Sequence, residues 1–268
     1  MKFGWCAPPA EADRLARIGY DYIEVPLAGC GLEDEATRRT ASVALKRLGL
    51  PAETFNYFFP NDMIVVGPTV DAARVKTYLA HAGELMAAVG ARVAVCGSGW
   101  ARNAPPGWPL AAAADQFVEA LHWAADAVRG SGVTVVIEPL NRTESTLANS
   151  VGEAVALARR VARPEIRVLA DFYHMNEEAE PLEEVFHHRG DLAHVHLADT
   201  RRLNPGTGRY AYPRFFSLLK AAGYAGSLSV ECWAERTDEA LATSLAFLRR
   251  QWADASPVAP VSAQGAIS

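Results

Sequence analysis

Short apolar runs alternate along the chain with longer segments in which apolar residues recur every three or four positions. The short runs are typical of buried strands, and the longer segments are typical of amphipathic helices. Strands are predicted at residues 2–6, 22–26, 52–56, 92–96, 134–138, 167–171, 193–197 and 227–232. Helices are predicted at residues 10–18, 33–48, 71–89, 112–128, 151–161, 181–187, 212–222 and 238–250. This alternation predicts consecutive βα units around a parallel sheet.

Eight such units follow one another without a change of composition, which favours a single (β/α)8 TIM barrel over residues 1–252. An open, doubly wound sheet is the alternative. Gly97-Ser-Gly99 after the fourth strand has neither the third glycine of a dinucleotide-binding turn nor the lysine of a phosphate loop. Residues 253–268 are rich in Ala, Ser and Pro, and we expect them to form a disordered tail.

Composition narrows the class of partner. The chain has 268 residues, 50% of them hydrophobic, and 26 basic against 31 acidic side chains leave a net charge of −5. This balance provides no basic surface for nucleic acid or for an anionic membrane, so we expect a small neutral substrate. No apolar stretch has the length of a membrane span or the form of a signal peptide, which predicts a cytoplasmic protein. A homo-oligomer is compatible with these features.

Cysteine usage agrees with a reducing compartment. Cys6, Cys30, Cys96 and Cys232 form no CxxC pair, and three of them lie in or beside predicted strands. We expect buried free thiols.

Four potential metal ligands lie at or near the carboxyl ends of the last four predicted strands. They are Glu138, Asp171, His196 and Glu231. Each acid interrupts an apolar run, and a buried carboxylate is costly unless it is paired or binds a cation. One such acid is usually explained by a salt bridge, but three acids and one histidine on neighbouring strands can converge on one ion at the barrel mouth. Three carboxylates and one imidazole suit Mn²⁺, with Mg²⁺ and Co²⁺ as alternatives, better than a structural zinc.

The segments after these ligands carry a family resemblance. They read Glu138-Pro-Leu-Asn-Arg-Thr-Glu144, Asp171-Phe-Tyr-His-Met-Asn-Glu-Glu178 and His196-Leu-Ala-Asp-Thr-Arg-Arg202. In this order they resemble the xylose isomerase-like TIM-barrel superfamily, and within it the tagatose and psicose (allulose) 3-epimerases. The Asp-Phe-Tyr-His-Met segment and the later Asn-Pro-Gly-Thr-Gly are also similar to hydroxypyruvate isomerases.

The resemblance implies a role for each matching residue. Glu138, Asp171, His196 and Glu231 would bind the metal, and Glu138 and Glu231 would also be the catalytic acid/base pair. Glu144, His174 and Arg202 would bind the substrate. The implied enzyme is a metal-dependent isomerase or epimerase of a ketose or related keto-sugar, working by proton transfer through a cis-enediolate.

Three alternatives stay open from the sequence. A hydroxypyruvate isomerase would use the same metal site. A dehydratase of an inosose or oxo-sugar would begin with the same proton abstraction and differ in its leaving group. A non-catalytic sugar-binding barrel is the remote alternative, because it would have no need of two glutamates on one ion.

Several further residues are weighed without a catalytic assignment. Glu24 can reach the cavity, but a barrel-lining acid paired with an arginine explains it equally well. His194 is expected to be a hydrogen-bonded interior histidine, with a supporting role behind the metal ligands as the alternative. Trp100 and Trp108 can stack on a sugar or pack within their loop.

Overall fold

The computed structural model describes residues 1–234, 236–258 and 260, and its centre is a closed barrel of eight parallel strands in sequence order. The strands are β1 (Phe3–Cys6), β2 (Tyr22–Pro26), β3 (Thr54–Asn56), β4 (Val93–Cys96), β5 (Thr134–Ile137), β6 (Ile166–Asp171), β7 (Leu192–Leu197) and β8 (Leu228–Val230). The pairing of β1 with β8 closes the sheet. The predicted (β/α)8 fold is therefore confirmed, and the open sheet is excluded.

Ten α-helices in the described residues surround the barrel. They are α1 (Ala12–Ile18), α2 (Glu35–Leu45), α3 (Ala72–Val89), α4 (Gly99–Arg102), α5 (Leu110–Val128), α6 (Val151–Val161), α7 (Phe172–Glu177), α8 (Glu184–His187), α9 (Tyr212–Ala221) and α10 (Asp238–Asp254). Helices α4 and α7 are short additions to the predicted set, and both lie directly after a strand on the mouth side of the barrel. No described helix is both long and apolar enough to cross a bilayer. The predictions of a cytoplasmic location and of a homo-oligomer stay predictions.

The predicted boundary at residue 252 falls inside α10, which runs to Asp254. Beyond that helix, Lys220 Nζ donates a hydrogen bond to the Ala255 carbonyl at 2.7 Å, so the chain continues along α9. Residues 259 and 261–268 of the predicted tail lie outside the described residues. The division into a catalytic barrel and a disordered tail stays a prediction.

The inside of the barrel is divided between an apolar side and a polar side. On the apolar side, Val93, Val95, Val136 and Leu169 of strands β4 to β6 form a small buried cluster. On the polar side, alternate residues of β2, β3, β7 and β8 point inward because side chains of a strand alternate between its faces. They include Tyr22, Glu24, Thr54, His194, His196 and Ser229, all buried. The larger apolar core lies between the strands and the helices.

All four cysteines are buried and free, as predicted. Burial raises the pKa values of the Cys30 and Cys232 thiols to about 11. These thiols are therefore unreactive at neutral pH.

Helices α3 and α5 pack closely at Gly83, which sets up a test of the fold. A Cβ atom at this position would lie 2.2 Å from the carbonyl oxygen of Ala127. Alanine gains about 1 kcal/mol over glycine in helix propensity. The contact is with backbone and can be relieved only by separating the helices, and overpacking of this kind costs about 1 to 3 kcal/mol. We therefore expect Gly83→Ala to lower the free energy of urea-induced unfolding.

Gly152→Ala is the matched control, because Gly152 also lies in a helix but a Cβ there would meet its nearest atom at 3.5 Å. It should leave stability unchanged or raise it. If Gly83→Ala were as stable as Gly152→Ala, the tight α3–α5 contact would be wrong.

Candidate active site

The four side chains predicted as metal ligands converge at the carboxyl end of the barrel. Single ligand atoms of Glu138, Asp171, His196 and Glu231 all lie within 4.8 Å of one another. His196 Nδ1 is at the centre, 3.0 Å from Glu138 Oε1, 3.7 Å from Asp171 Oδ2 and 3.6 Å from Glu231 Oε2. We call these four residues the acidic cluster.

Strand register produces this convergence. Asp171 is paired with His196 across β6 and β7, while Glu138 and Glu231 are the first residues after β5 and β8. These two glutamates therefore approach His196 from strands on either side of β6 and β7. Gly97, directly after β4, leaves the space that Glu138 occupies, because a Cβ atom on Gly97 would lie 1.6 Å from Glu138 Oε2.

The charges of the acidic cluster shift one another's pKa values. Burial raises the pKa of Glu138, and the nearby charge of Glu231 raises it further, although His196 opposes both. Burial alone would also raise the pKa of Glu231, but Arg202 and His196 lower it below the usual range for glutamate. Burial alone would lower the pKa of His196, but Glu24, Glu138 and Glu231 raise it well above its usual value. Negative charge is thus concentrated in a buried space.

This donor set fits a divalent cation. Three carboxylates and one imidazole are ligands that hard and borderline divalent ions accept, and a cation would offset the repulsion between the buried acids. Asp171 is already held in place, since its Oδ1 accepts hydrogen bonds from the backbone N–H groups of Tyr173 at 2.7 Å and His174 at 3.0 Å. Its other oxygen, Oδ2, lies on the side of His196.

The three predicted substrate-binding residues lie together beside the acidic cluster. Arg202 Nη1 is 3.4 Å from both oxygens of Glu144, and Arg202 Nη2 donates a hydrogen bond to Glu231. His174 Nε2 lies 4.0 Å from Glu144 Oε2. The backbone N–H of Asn141 donates to His174 Nδ1 at 3.0 Å, which leaves the ring proton of neutral His174 on Nε2.

Two of these residues carry buried donors that lack a partner. His174 Nε2 and Arg202 Nε have no hydrogen-bond acceptor among the described residues. Buried polar groups are almost always hydrogen-bonded in folded proteins. The two donors are therefore suited to oxygen atoms of a bound molecule.

Arg202 is held in an unusual backbone conformation. Arg201 and Arg202 both have positive φ angles, 62° and 58°, which residues other than glycine rarely adopt. The Arg202 guanidinium lies 5.1 Å from the ring of Tyr173 and 4.5 Å from that of Trp233. Such strain persists only where surrounding contacts impose it, and it is often found at functional sites.

A small cavity of about 160 Å³ reaches the acidic cluster at Glu138 and Glu231. Its walls include Tyr57, Gly97, Trp100, Glu144, Arg202 and Trp233, together with Glu138 and Glu231. Trp100 thus lines the cavity, while Trp108 packs against the hydrophobic core. A larger cavity of about 690 Å³ lies at the opposite, amino-terminal end of the strands, among Lys2, Glu53 and Arg92. We place the site at the smaller cavity, because barrel enzymes carry their chemistry at the carboxyl end.

Sequence reasoning missed three residues of the site. Glu24 pairs with two histidines and not with an arginine: its carboxylate lies 2.8 Å from His196 Nε2 and 3.0 Å from His194 Nε2. Burial alone would raise the pKa of Glu24, but His196 and His194 hold it well below the usual value. The signal was available, because Glu24 also interrupts an apolar strand.

The other two missed residues support the site through hydrogen bonds to backbone and side-chain groups. Arg102 is fully buried and donates hydrogen bonds to the carbonyls of Cys96 and Glu138 at 3.0 and 2.7 Å, which ties together the ends of β4 and β5. Asn141 bridges His174 and Glu144. Neither contact leaves a periodic trace in the sequence.

Comparison with known proteins identifies the family of this chain. A family model described as a xylose isomerase-like TIM barrel matches residues 12–251. An L-ribulose 3-epimerase of Methylomonas sp. is 29% identical over 252 residues, which are 91% of this chain and 85% of that protein. A 3-dehydro-D-guloside 4-epimerase of Escherichia coli is 35% identical over 44% of this chain and 47% of its own length. Matches at 35% identity thus span about half the length of those relatives.

A solved structure supports the fold. The D-psicose 3-epimerase of Clostridium cellulolyticum H10, crystallised with D-tagatose, aligns with a TM-score of 0.83 at 18% identity, over 94% of this chain and 99% of that one. These matches confirm the resemblance drawn from the sequence motifs. The named relatives are epimerases, which agrees with the predicted enzyme class.

The space at Gly97 provides a test of the site geometry. Gly97→Ala should displace the Glu138 carboxylate, because the added methyl group would occupy the position of Oε2. We expect the Mn²⁺ affinity, measured by isothermal titration calorimetry, to fall by at least about 10-fold. This is the lower end of the loss that follows when the residues around a metal site are altered. Gly190→Ala, where a Cβ meets no atom within 4 Å, is the control. Unchanged Mn²⁺ affinity in folded Gly97→Ala would contradict the placement of Glu138.

Proposed function

We propose, because the chain belongs to the xylose isomerase-like TIM-barrel family, that it is a divalent-metal-dependent epimerase or isomerase of a ketose or related keto-sugar. The observation that carries the proposal is one small cavity lined by Glu138 and Glu231 of the acidic cluster together with a second group of polar side chains, Glu144 and Arg202. The first group suits a cation, and the second group suits the hydroxyl and carbonyl oxygens of a sugar.

Glu138, Asp171, His196 and Glu231 would hold the ion, for which Mn²⁺ is favoured and Mg²⁺ or Co²⁺ are alternatives. When bound, such an ion acts as a Lewis acid that stabilises negative charge on the oxygens of an enediolate. The concentration of buried carboxylates around His196 supports this assignment.

Glu138 and Glu231 would move the protons. A carbon beside a carbonyl loses its proton to a positioned base, and a second acid returns a proton to the opposite face when the product is an epimer. The two glutamates reach the cavity from β5 and β8 and both line it. Return of the proton to the neighbouring carbon would instead give aldose–ketose isomerisation.

Glu144, His174 and Arg202 would orient the sugar. His174 Nε2–H and Arg202 Nε–H supply donors that have no acceptor in the described part of the chain, and the Glu144 carboxylate on the cavity wall supplies an acceptor. The hydrogen bond from Arg202 to Glu231 links substrate binding to one of the two bases.

A second candidate is epimerisation at another carbon of a keto-sugar glycoside. The 35% identical relative that acts as a 3-dehydro-D-guloside 4-epimerase favours it. Proton abstraction beside a carbonyl is common to both reactions, so the same two glutamates would serve. Hydroxypyruvate isomerisation and dehydration of an inosose stay alternatives to be separated by experiment.

Solvent exchange identifies the reaction. The protein with Mn²⁺ is incubated in D2O with D-tagatose, D-psicose, L-ribulose, hydroxypyruvate or an inosose, and each product is followed by NMR. We expect deuterium at the carbon beside the carbonyl of a ketose, accompanied by its epimer. Chelation should abolish this exchange and Mn²⁺ or Co²⁺ should restore it. Full exchange in metal-free protein, or loss of water from the substrate, would contradict the proposal.

The two glutamates are tested by isosteric substitution. Glu→Gln keeps one coordinating oxygen but removes the basic carboxylate. We expect Glu138→Gln and Glu231→Gln each to reduce interconversion by about 10²- to 10⁴-fold, the usual contribution of a general acid–base group. Each variant should still exchange deuterium into the one epimer whose proton faces the remaining glutamate.

Glu53→Gln is the control, because Glu53 pairs with Lys2 at the opposite end of the barrel. It should interconvert substrate like the wild-type protein. Near wild-type interconversion by either Glu138→Gln or Glu231→Gln, with metal bound, would show that a single base is sufficient.

A further inference from the structure

The imidazole of His196 has a carboxylate on each side. Its Nδ1 faces the three carboxylates of the acidic cluster, while Nε2 lies 2.8 Å from Glu24 Oε1. Both Glu24 and His196 are fully buried. A histidine that binds a metal through one ring nitrogen usually donates the N–H of the other nitrogen to a carboxylate or carbonyl, which fixes its tautomer.

Glu24 is itself held on its other oxygen. Glu24 Oε2 accepts hydrogen bonds from Thr54 Oγ1 at 2.9 Å and from Ser229 Oγ, and it lies 3.0 Å from His194 Nε2. Tyr22 extends the network, with its hydroxyl 2.8 Å from Ser229 Oγ. These partners come from β2, β3, β7 and β8, so the carboxylate is anchored to half of the barrel.

We infer that Glu24 is a positioning residue: it accepts the Nε2–H of His196 and keeps the Nδ1 lone pair directed at the acidic cluster. This inference rests on the proposed metal site. Nδ1 is then the atom through which His196 would bind the metal, and the buried carboxylate of Glu24 serves to orient the imidazole. As part of this role, the negative charge of Glu24 makes Nδ1 a stronger electron-pair donor than a neutral acceptor on Nε2 would.

A competing reading is a second metal site beneath the first. Cys6, Glu24 and His196 also place single ligand atoms within 4.8 Å of one another. The His196 nitrogen on that side already forms the hydrogen bond with Glu24. An ion there would have to displace this hydrogen bond, and the geometry therefore favours the positioning role.

Glu24→Gln tests the role of the charge. Glutamine has the same size and can still accept the Nε2–H of His196, but it is neutral. We expect the Kd for Mn²⁺, measured by isothermal titration calorimetry, to rise about 10- to 100-fold, the usual effect of mutating the carboxylate partner of a metal-bound histidine. Circular dichroism and thermal unfolding are used to check that the variant is folded.

Thr54→Val is the matched control. It removes one hydrogen bond to Glu24 in the same buried network but preserves the charge and the contact with His196. Its Kd for Mn²⁺ should stay close to that of the wild-type protein. A loss of affinity in Thr54→Val equal to that in Glu24→Gln would indicate a general disturbance of the barrel interior and overturn the inference.

A measurement on the wild-type protein decides the tautomer even if Glu24→Gln fails to fold. In protein labelled with ¹⁵N-histidine and saturated with diamagnetic Mg²⁺, His196 should carry its proton on Nε2 and none on Nδ1. A proton on Nδ1 would overturn the inference, and so would an unchanged Mn²⁺ affinity of folded Glu24→Gln. If the wild-type protein bound neither ion, the proposed metal site itself would be wrong and the inference with it.

Discussion

The buried negative charge around His196 is the constraint on which this end of the barrel depends. Glu24, Glu138 and Asp171 are almost fully buried and Glu231 is mostly buried, all within reach of one imidazole. Isolated carboxylates in such surroundings are costly, so each must be paired with a donor or a cation. The protein meets this demand on the barrel side with histidines, hydroxyls and Arg202. On the cavity side the acidic cluster remains under-compensated, and that imbalance makes it suitable for a divalent ion.

The barrel scaffold makes the imbalance tolerable. One side of its interior is filled by valine and leucine from β4 to β6, and the other side carries the polar network from β2, β3, β7 and β8. The apolar side packs without polar groups, whereas the polar side is hydrogen-bonded across strands. The four side chains of the acidic cluster therefore start from strand ends that are fixed by pairing, and their positions do not depend on flexible loops alone.

The group of side chains proposed to bind the substrate is built differently. Arg202 reaches the cavity through two residues with positive φ and is flanked by the rings of Tyr173 and Trp233. His174 is oriented by the backbone N–H of Asn141. Loops, and not strands, present these groups, which is the usual division in TIM barrels: the strands support common chemistry and the loops set the substrate.

The sequence by itself determined the eight βα units and singled out the four side chains that converge in the acidic cluster. Strands and helices can be predicted because buried, apolar residues recur with the period of each element. An acid inside an apolar strand can be recognised because burying it is costly. Only the tertiary structure decided which side chains contact one another. Glu24 contacts His194 and His196, which are 170 and 172 positions away in the sequence. Gly97, after β4, leaves space for Glu138, which follows the neighbouring strand β5. These contacts depend on strand register and barrel closure, which are set by the packing of the whole sheet and leave no local pattern in the chain.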